Sequence, residues 1–433
     1  MAIHTQPALL TALLVFTVYS RAQTQFTPKL TTLANIGGSP GGLTIGTGPS
    51  GHTALFGTTY SGGGLGTVYS LTPPASPGDS WTQTVLHTFT GSFSGGDGSY
   101  PIGVLAIGKG GVLYGATRTG GTNTRSGCGA GCGTVYSLTP PASASGSWTY
   151  AVIYNFTSAS FWPSAGVVIG PGGVLYGATE FGGVAPYNGT VFAFVPPAAP
   201  GSPWTYSVLH NFTGGSDGGG TVGLALGSNG VLFGTTSGAG IASCTVFSLT
   251  PPAAPGDAWT LDTLYNFANG NLSIGPSAPT IGPNGLLYGT TTYGGNPACS
   301  GIYGSGCGTV FAVTPPSASG GSWVFTTIYN FTGGNDGYWP YGGVMIGPNG
   351  LLYGTANDGG TAIYYGTIYS LTPPTSSTGS STETTLYGFT GYPNGSNPEA
   401  GVVFGASGVL YGTVEDNGGC QEPGCGAVYS LTM

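Results

Sequence analysis

The chain has 433 residues, of which 86 are glycine and only 4% are charged, and its formal net charge is −8. Five basic residues cannot build a positive surface for a phosphate backbone, so nucleic acid is excluded as a partner class. An aromatic content of 12%, set in regular apolar runs, separates the chain from glycine-rich disordered sequences.

Residues 1–22 read as a signal peptide. Leu9 to Phe16 is an apolar core, and Ser20-Arg21-Ala22 places small residues where a signal peptidase cuts. The core is shorter than the ~20 residues a membrane span needs, so cleavage and export are expected, with no membrane insertion afterwards. Lys29 to Ile36 follows as a lone strand.

From there one unit recurs. An aromatic residue followed by glycine falls at Phe56, Tyr114, Tyr176, Phe233, Tyr288, Tyr353 and Tyr411, with spacings between 55 and 65 residues. Such self-similarity marks solenoids and propellers. Each unit resolves into four strands, seen clearly over 164–212. Ala165 to Ile169 ends at Gly170-Pro171-Gly172-Gly173, and Val174 to Thr179 follows. Gly189 to Val195 stops at Pro196-Pro197, and Trp204 to Phe212 completes the unit. The runs are rich in Val, Thr and aromatics and are punctuated by Gly, Pro and Asn, the strand-and-turn signal. In the fourth run, alternation places Trp204, Tyr206, Val208, His210 and Phe212 on one face. Trp81, Trp148, Trp204, Trp259 and Trp323 mark this fourth strand and are expected to pack.

Seven four-stranded units imply an all-β, seven-bladed β-propeller. It forms one domain over 23–433, with blades at about 41–89, 101–156, 164–212, 221–267, 277–331, 341–389 and 400–433. The last unit lacks a fourth strand, so 29–36 is expected to complete it and close the ring, leaving no open sheet edge. Three close cysteine pairs, Cys128–Cys132, Cys299–Cys307 and Cys420–Cys425, each sit between the second and third strands of a blade. In an exported chain these are expected to be disulfides, since zinc needs about four convergent ligands. Cys244 is left over, a small thiol expected to be buried or partly buried.

The unit Leu-Tyr-Gly-Thr-Thr, Gly-Thr-Val-Phe-Ser-Leu-Thr-Pro and Leu-Tyr-Asn-Phe-Thr-Gly-Gly-x-Asp-Gly is best seen at 113–139, 287–337 and 352–372. It resembles the GloVer tandem repeat of secreted bacterial proteins. The resemblance covers essentially the whole mature chain. It implies an exported or surface protein and brings neither an activity nor catalytic residues.

Chemistry is sought on the face that carries both the blade-to-blade loops and the loops between second and third strands, because a rigid scaffold presents binding residues there. Asp97, Asp217 and Asp336 each sit in a Gly-rich blade-to-blade loop. Capping of their own turns is weighed against calcium, which wants six to eight oxygens. Otherwise no cofactor is expected. Tyr100, Trp162, Tyr338, Trp339 and Tyr341 lie beside the prolines that lead into first strands. They either stack on a sugar or apolar partner or plug the central channel. The residue after the second strand varies, including Arg118, Glu180 and Glu415. Glu180, Asp358, Glu415 and Asp416 are the only nearby carboxylates that could pair, although Glu180 stands three blades from the last blade in one direction and four in the other. Glycoside hydrolysis needs a pair about 5–10 Å apart, and adjacent Glu415 and Asp416 point oppositely on a strand. Gly37-Gly38-Ser39-Pro40-Gly41 matches a serine-nucleophile pattern, but at no strand-to-helix elbow. His87 and His210 replace a packing tyrosine. The chain is therefore expected to be a secreted, monomeric binding module for an extracellular polysaccharide or a surface protein. The alternatives are a polysaccharide lyase or glycoside hydrolase, and a structural or adhesive protein with no small ligand.

Overall fold

The computed structural model describes residues 28–433 except 77, 92–95, 124–127, 144, 158, 186, 200, 239–242, 255, 268–274, 300–305, 319, 362–363, 375–380 and 417–424. The expected signal peptide and Cys420 thus lie outside the described residues.

Seven antiparallel sheets follow one another around a ring, which makes the chain a seven-bladed β-propeller. Blade 1 runs Thr44–Thr47, Thr53–Thr59, Thr67–Thr72 and Thr82–Thr88 from the centre outward. The tight turn between the first two strands recurs as Gly-Pro-Gly-Gly or Gly-Pro-Asn-Gly, folded as one turn of 3-10 helix. In blade 3 the inner strand is split into Ser160–Pro163 and Val168–Ile169. Blade 7 is closed as expected. Lys29–Gly37 pairs antiparallel with Cys425–Thr432, from Lys29 opposite Thr432 to Gly37 opposite Cys425. Ile36 and Val428 then pack with Leu43, Leu55, Tyr69 and Leu71 of blade 1.

The core lies between blades. Each outer-strand tryptophan meets the second-strand aromatic of the preceding blade edge-on. The pairs are Trp148 with Phe56, Trp204 with Tyr114, Trp259 with Tyr176, Trp323 with Phe233 and, across the closure, Trp81 with Tyr411. Their centroids are 5.9–6.0 Å apart, inside the range where edge-to-face pairs add to burial.

The glycine after each second-strand aromatic has a packing reason. Gly289 is paired with Phe311 of the third strand, whose ring lies over it. A Cβ on Gly289 would stand 2.4 Å from Phe311 Cζ. The same holds at Gly177 under Phe192 and at Gly412 under Tyr429. The repeat therefore spends a side chain on the second strand to seat a large ring from the third.

One expectation is corrected. In every blade the pairing of third and outer strands skips a residue. In blade 3, Val208 pairs with Phe192 and His210 with Val191, so Leu209 is extra. This bulge breaks the alternation. Trp204 and Tyr206 pack toward blade 2, whereas Leu209 and Phe212 pack toward blade 4. The five residues do not share a face.

Candidate functional site

The face around the upper mouth of the ring carries the loops that lead from one blade to the next. In blades 2, 3, 6 and 7 the residue before the strand-leading proline is Tyr100, Trp162, Trp339 and Asn397, with φ of 56°, 55°, 59° and 57°. A residue before proline normally stays extended, and a non-glycine residue in this left-handed region is strained. Hydrogen bonds from both sides hold it there. The N–H groups of Tyr100, Trp162, Trp339 and Asn397 donate to the carbonyls of Leu65, Cys132, Cys307 and Tyr365 in the preceding blade, at 2.8–3.0 Å. The carbonyls of Trp339 and Asn397 accept from Asn357 and Glu415 at 3.1 Å. Cys128–Cys132 and Cys299–Cys307 are disulfides, so the two tryptophans hang on loops that carry a cross-link. Of the third expected pair, Cys420 lies outside the described residues. Cys244 is a buried thiol of blade 4.

The tryptophans are not flat open platforms. Trp162 is half-buried, its Nε1 is sealed from solvent, and its ring is edged by Phe161 and Phe181. The Arg118 guanidinium sits 5.3 Å from its centroid. Arg118 Nη2 also donates to Glu180 Oε2 at 2.7 Å, so cation, carboxylate and indole form one closed group. Trp339, likewise half-buried with a sealed Nε1, packs edge-on with Tyr293 and Tyr338. Tyr100 stacks on Tyr60 at 4.8 Å. Of the five aromatics expected to bind or plug, Tyr341 alone lines the central cavity, which measures about 480 Å³.

The three loop aspartates are spent locally. Asp97 Oδ1 accepts from Thr90 N–H and Oγ1, both at 2.9 Å, and from Gly91 N–H, while Oδ2 meets His87 Nε2 at 2.7 Å. Burial raises the Asp97 carboxyl, but these hydrogen bonds outweigh it and hold the group below its ordinary value. Asp217 pairs with Thr213 and His210, and Asp336 with Thr332 and Tyr329, in the same arrangement. Among the described residues no cluster of three or more His, Cys, Asp or Glu side chains forms a metal site. His87 and His210 also pack, His87 stacking on Tyr150 at 3.9 Å.

Blades 6, 7 and 1 hold the polar concentration. Ser39 Oγ donates to Glu415 Oε1 at 3.2 Å across 376 residues of sequence. Glu415 is hydrogen-bonded to Glu399, a carboxylate that the sequence reading passed over. Glu399 is exposed at the rim but walled by the concave mouth. Loss of solvent first, and then the Glu415 charge and hydrogen bond, push its carboxyl up to about 7. Asn397 Nδ2 donates to Asp358 Oδ1 at 2.9 Å. Burial raises the Asp358 carboxyl, partly offset by that amide. Tyr341 is hydrogen-bonded to Tyr293; burial, then Tyr293 and then Glu399 and Asp358 raise its hydroxyl. Tyr338 is pushed up to about 12 by burial and by Asp358. Glu399 thus joins Glu415, while Glu180, remote from blade 7, is committed to Arg118.

Sequence reasoning also missed most of the exposed aromatics. Tyr60, Tyr187, Tyr341, Tyr364, Tyr365 and Tyr392 are the exposed tyrosines among the described residues. All six lie on this one face, in loops between second and third strands or between blades. Their signal was available, because most stand where the repeat is interrupted.

With this geometry, comparison with known proteins gives a family. Residues 123–364, more than half of the chain, match the Gloeobacter/Verrucomicrobia repeat. The chain belongs to that family. No curated protein matches it in sequence. Among solved structures, Kuenenia stuttgartiensis hydrazine synthase is similar at 14% identity and a TM-score of 0.51, over 88% of this chain and 93% of that one. A protein of unknown function from Dyadobacter fermentans DSM 18053 is 11% identical, with a TM-score of 0.43, over 93% of this chain and 99% of its own. The polysaccharide lyase Uly1 is 12% identical, with a TM-score of 0.49, over 93% and 90%. At these identities the likeness concerns the propeller fold alone. Among the described residues no helix is long and apolar enough to cross a membrane.

Proposed function

We propose that the protein is an exported binding module whose upper loop face engages an extracellular polysaccharide or another surface protein. The observation that carries this reading is the gathering, among the described residues, of six exposed tyrosines on one face, Tyr364 and Tyr392 each 69% exposed. Tyrosine offers a large, rigid contact with a polar tip at little conformational cost, which suits the C–H face of a sugar or a protein surface. Four left-handed residues beneath, held by hydrogen bonds from the neighbouring blade, make the platform stiff. Export accords with the two disulfides, which persist in oxidising compartments, and with the signal-like segment at 1–22.

The test is a glycan array probed with the mature protein and with a Tyr364→Ala, Tyr392→Ala variant. A saccharide signal that the variant loses supports the polysaccharide arm. Absence of any saccharide signal removes that arm and leaves the protein partner, which cross-linking on the producing cell's surface then tests. Binding that survives loss of both tyrosines sinks the loop-face reading.

A further inference from the structure

The centre of the ring holds a second feature, on the inner wall rather than on the outer tyrosines. The cavity of about 480 Å³ is bounded by Leu43, Val104, Val222, Tyr341, Val344 and Val402 among others, and none of its lining residues carries a charge. Its size and apolar lining are those of small-molecule sites. Val104 remains 51% exposed there, apolar surface that an occupant would cover. The rim has the opposite character. Tyr341 lines the cavity with its ring, while its hydroxyl lies within the influence of Glu399 and Asp358. Ala400, also in the lining, directly follows Glu399, which is joined to Glu415. Among the described residues Arg118 is the cation of this face, and it is held by Glu180 two blades or more away from that rim.

An apolar chamber under an anionic rim fits one chemistry: an apolar body with a single positive end. We propose that the central cavity binds a primary alkylammonium group, its chain against Val104, Val222 and Tyr341 and its ammonium on the Glu399–Glu415 pair. Tyr341 is the one residue this site shares with the tyrosine surface, and the probes that test it are neither saccharide nor protein, so its failure leaves that reading untouched.

The experiment titrates the mature protein by calorimetry with butyl-, hexyl- and octylammonium, with hexanol and with hexanoate. Affinity is expected to rise about four-fold per methylene until the cavity is filled. Hexanoate should bind at least ten-fold more weakly than hexylammonium. The Glu399→Gln, Glu415→Gln variant should lose at least ten-fold for hexylammonium and nothing for hexanol, and Val104→Trp should abolish both. Equal binding of ammonium and carboxylate, no dependence on chain length, or no binding of any probe to the wild-type protein would each overturn the proposal. The wild-type ligand series decides the matter even where a variant fails to fold.

Discussion

The seat of the third-strand ring on the second-strand glycine gives the sharpest test of how this repeat works. In Gly289→Ala the new Cβ stands 2.4 Å from Phe311 Cζ and 2.9 Å and 3.1 Å from two further ring atoms. Carbon atoms are at ease near 3.5–4.0 Å, so the ring must retreat by about 1 Å. It has nowhere to go: Phe311 is fully buried and lies 5.8 Å from Phe267 and 5.4 Å from Phe325. Overpacking of this kind costs about 1–3 kcal/mol. Gly37 provides the control. It is also a strand glycine, with ordinary φ, but a Cβ there meets nothing within 4 Å. Gly37→Ala should be neutral or stabilise by up to about 1 kcal/mol, through the unfolded chain. Urea unfolding of both variants, with Phe311→Leu combined with Gly289→Ala as the rescue, measures the difference. If Gly289→Ala unfolds within about 0.5 kcal/mol of wild type, a distance expected only of harmless surface changes, the ring does not need the glycine and the packing account of the repeat is wrong.

Other outcomes follow from the same geometry. The hydroxyls of Tyr69, Tyr136, Tyr369 and Tyr429 are buried with no hydrogen-bond partner, and blades 3, 4 and 5 carry Phe192, Phe247 and Phe311 at that place. Tyr369→Phe should therefore raise unfolding free energy by about 1 kcal/mol, and a loss of that size in denaturant titration would show that the hydroxyl has a partner. Asp97 is held below its ordinary value, so the stability it adds is full above the unfolded carboxylate value and is lost as pH falls through the folded one. The stability gap between wild type and Asp97→Asn should accordingly be present at pH 6 and shrink below about pH 4, measured by thermal melts across that range; a gap independent of pH would contradict it. Removal of residues 29–37 strips blade 7 of its outer strand and opens the interface of Ile36 with blade 1. The melting temperature should drop by many degrees, and a melt within a degree of the intact mature protein would refute closure by that strand.

Much of this molecule was legible without coordinates because its rules are local. Two-residue alternation, proline stops and tight glycine turns repeat within each unit of about 60 residues, so seven blades of four strands and the pairing of 29–36 with the last unit follow from pattern alone. The loop aspartates belong to the same class. Asp97, Asp217 and Asp336 bind threonines four to seven residues away, and a turn that closes on itself needs no tertiary context. The tryptophans of the outer strands also behaved as packing residues.

Three features were decided only by the ring. The bulge at Leu209 answers the twist of each blade, and it turned half of an alternating strand toward the next blade although the alternation itself is perfect on paper. The left-handed backbone at Tyr100, Trp162 and Trp339 runs against the preference of a residue before proline, and it exists because carbonyls of the previous blade claim those N–H groups. The mouth itself joins Ser39 to Glu415 across the closure and Arg118 to Glu180 across 62 residues. Local sequence carries secondary structure through backbone sterics and turn chemistry. It does not carry the distances between loops of different blades, which depend on every sheet between them packing at its own angle until the ring shuts.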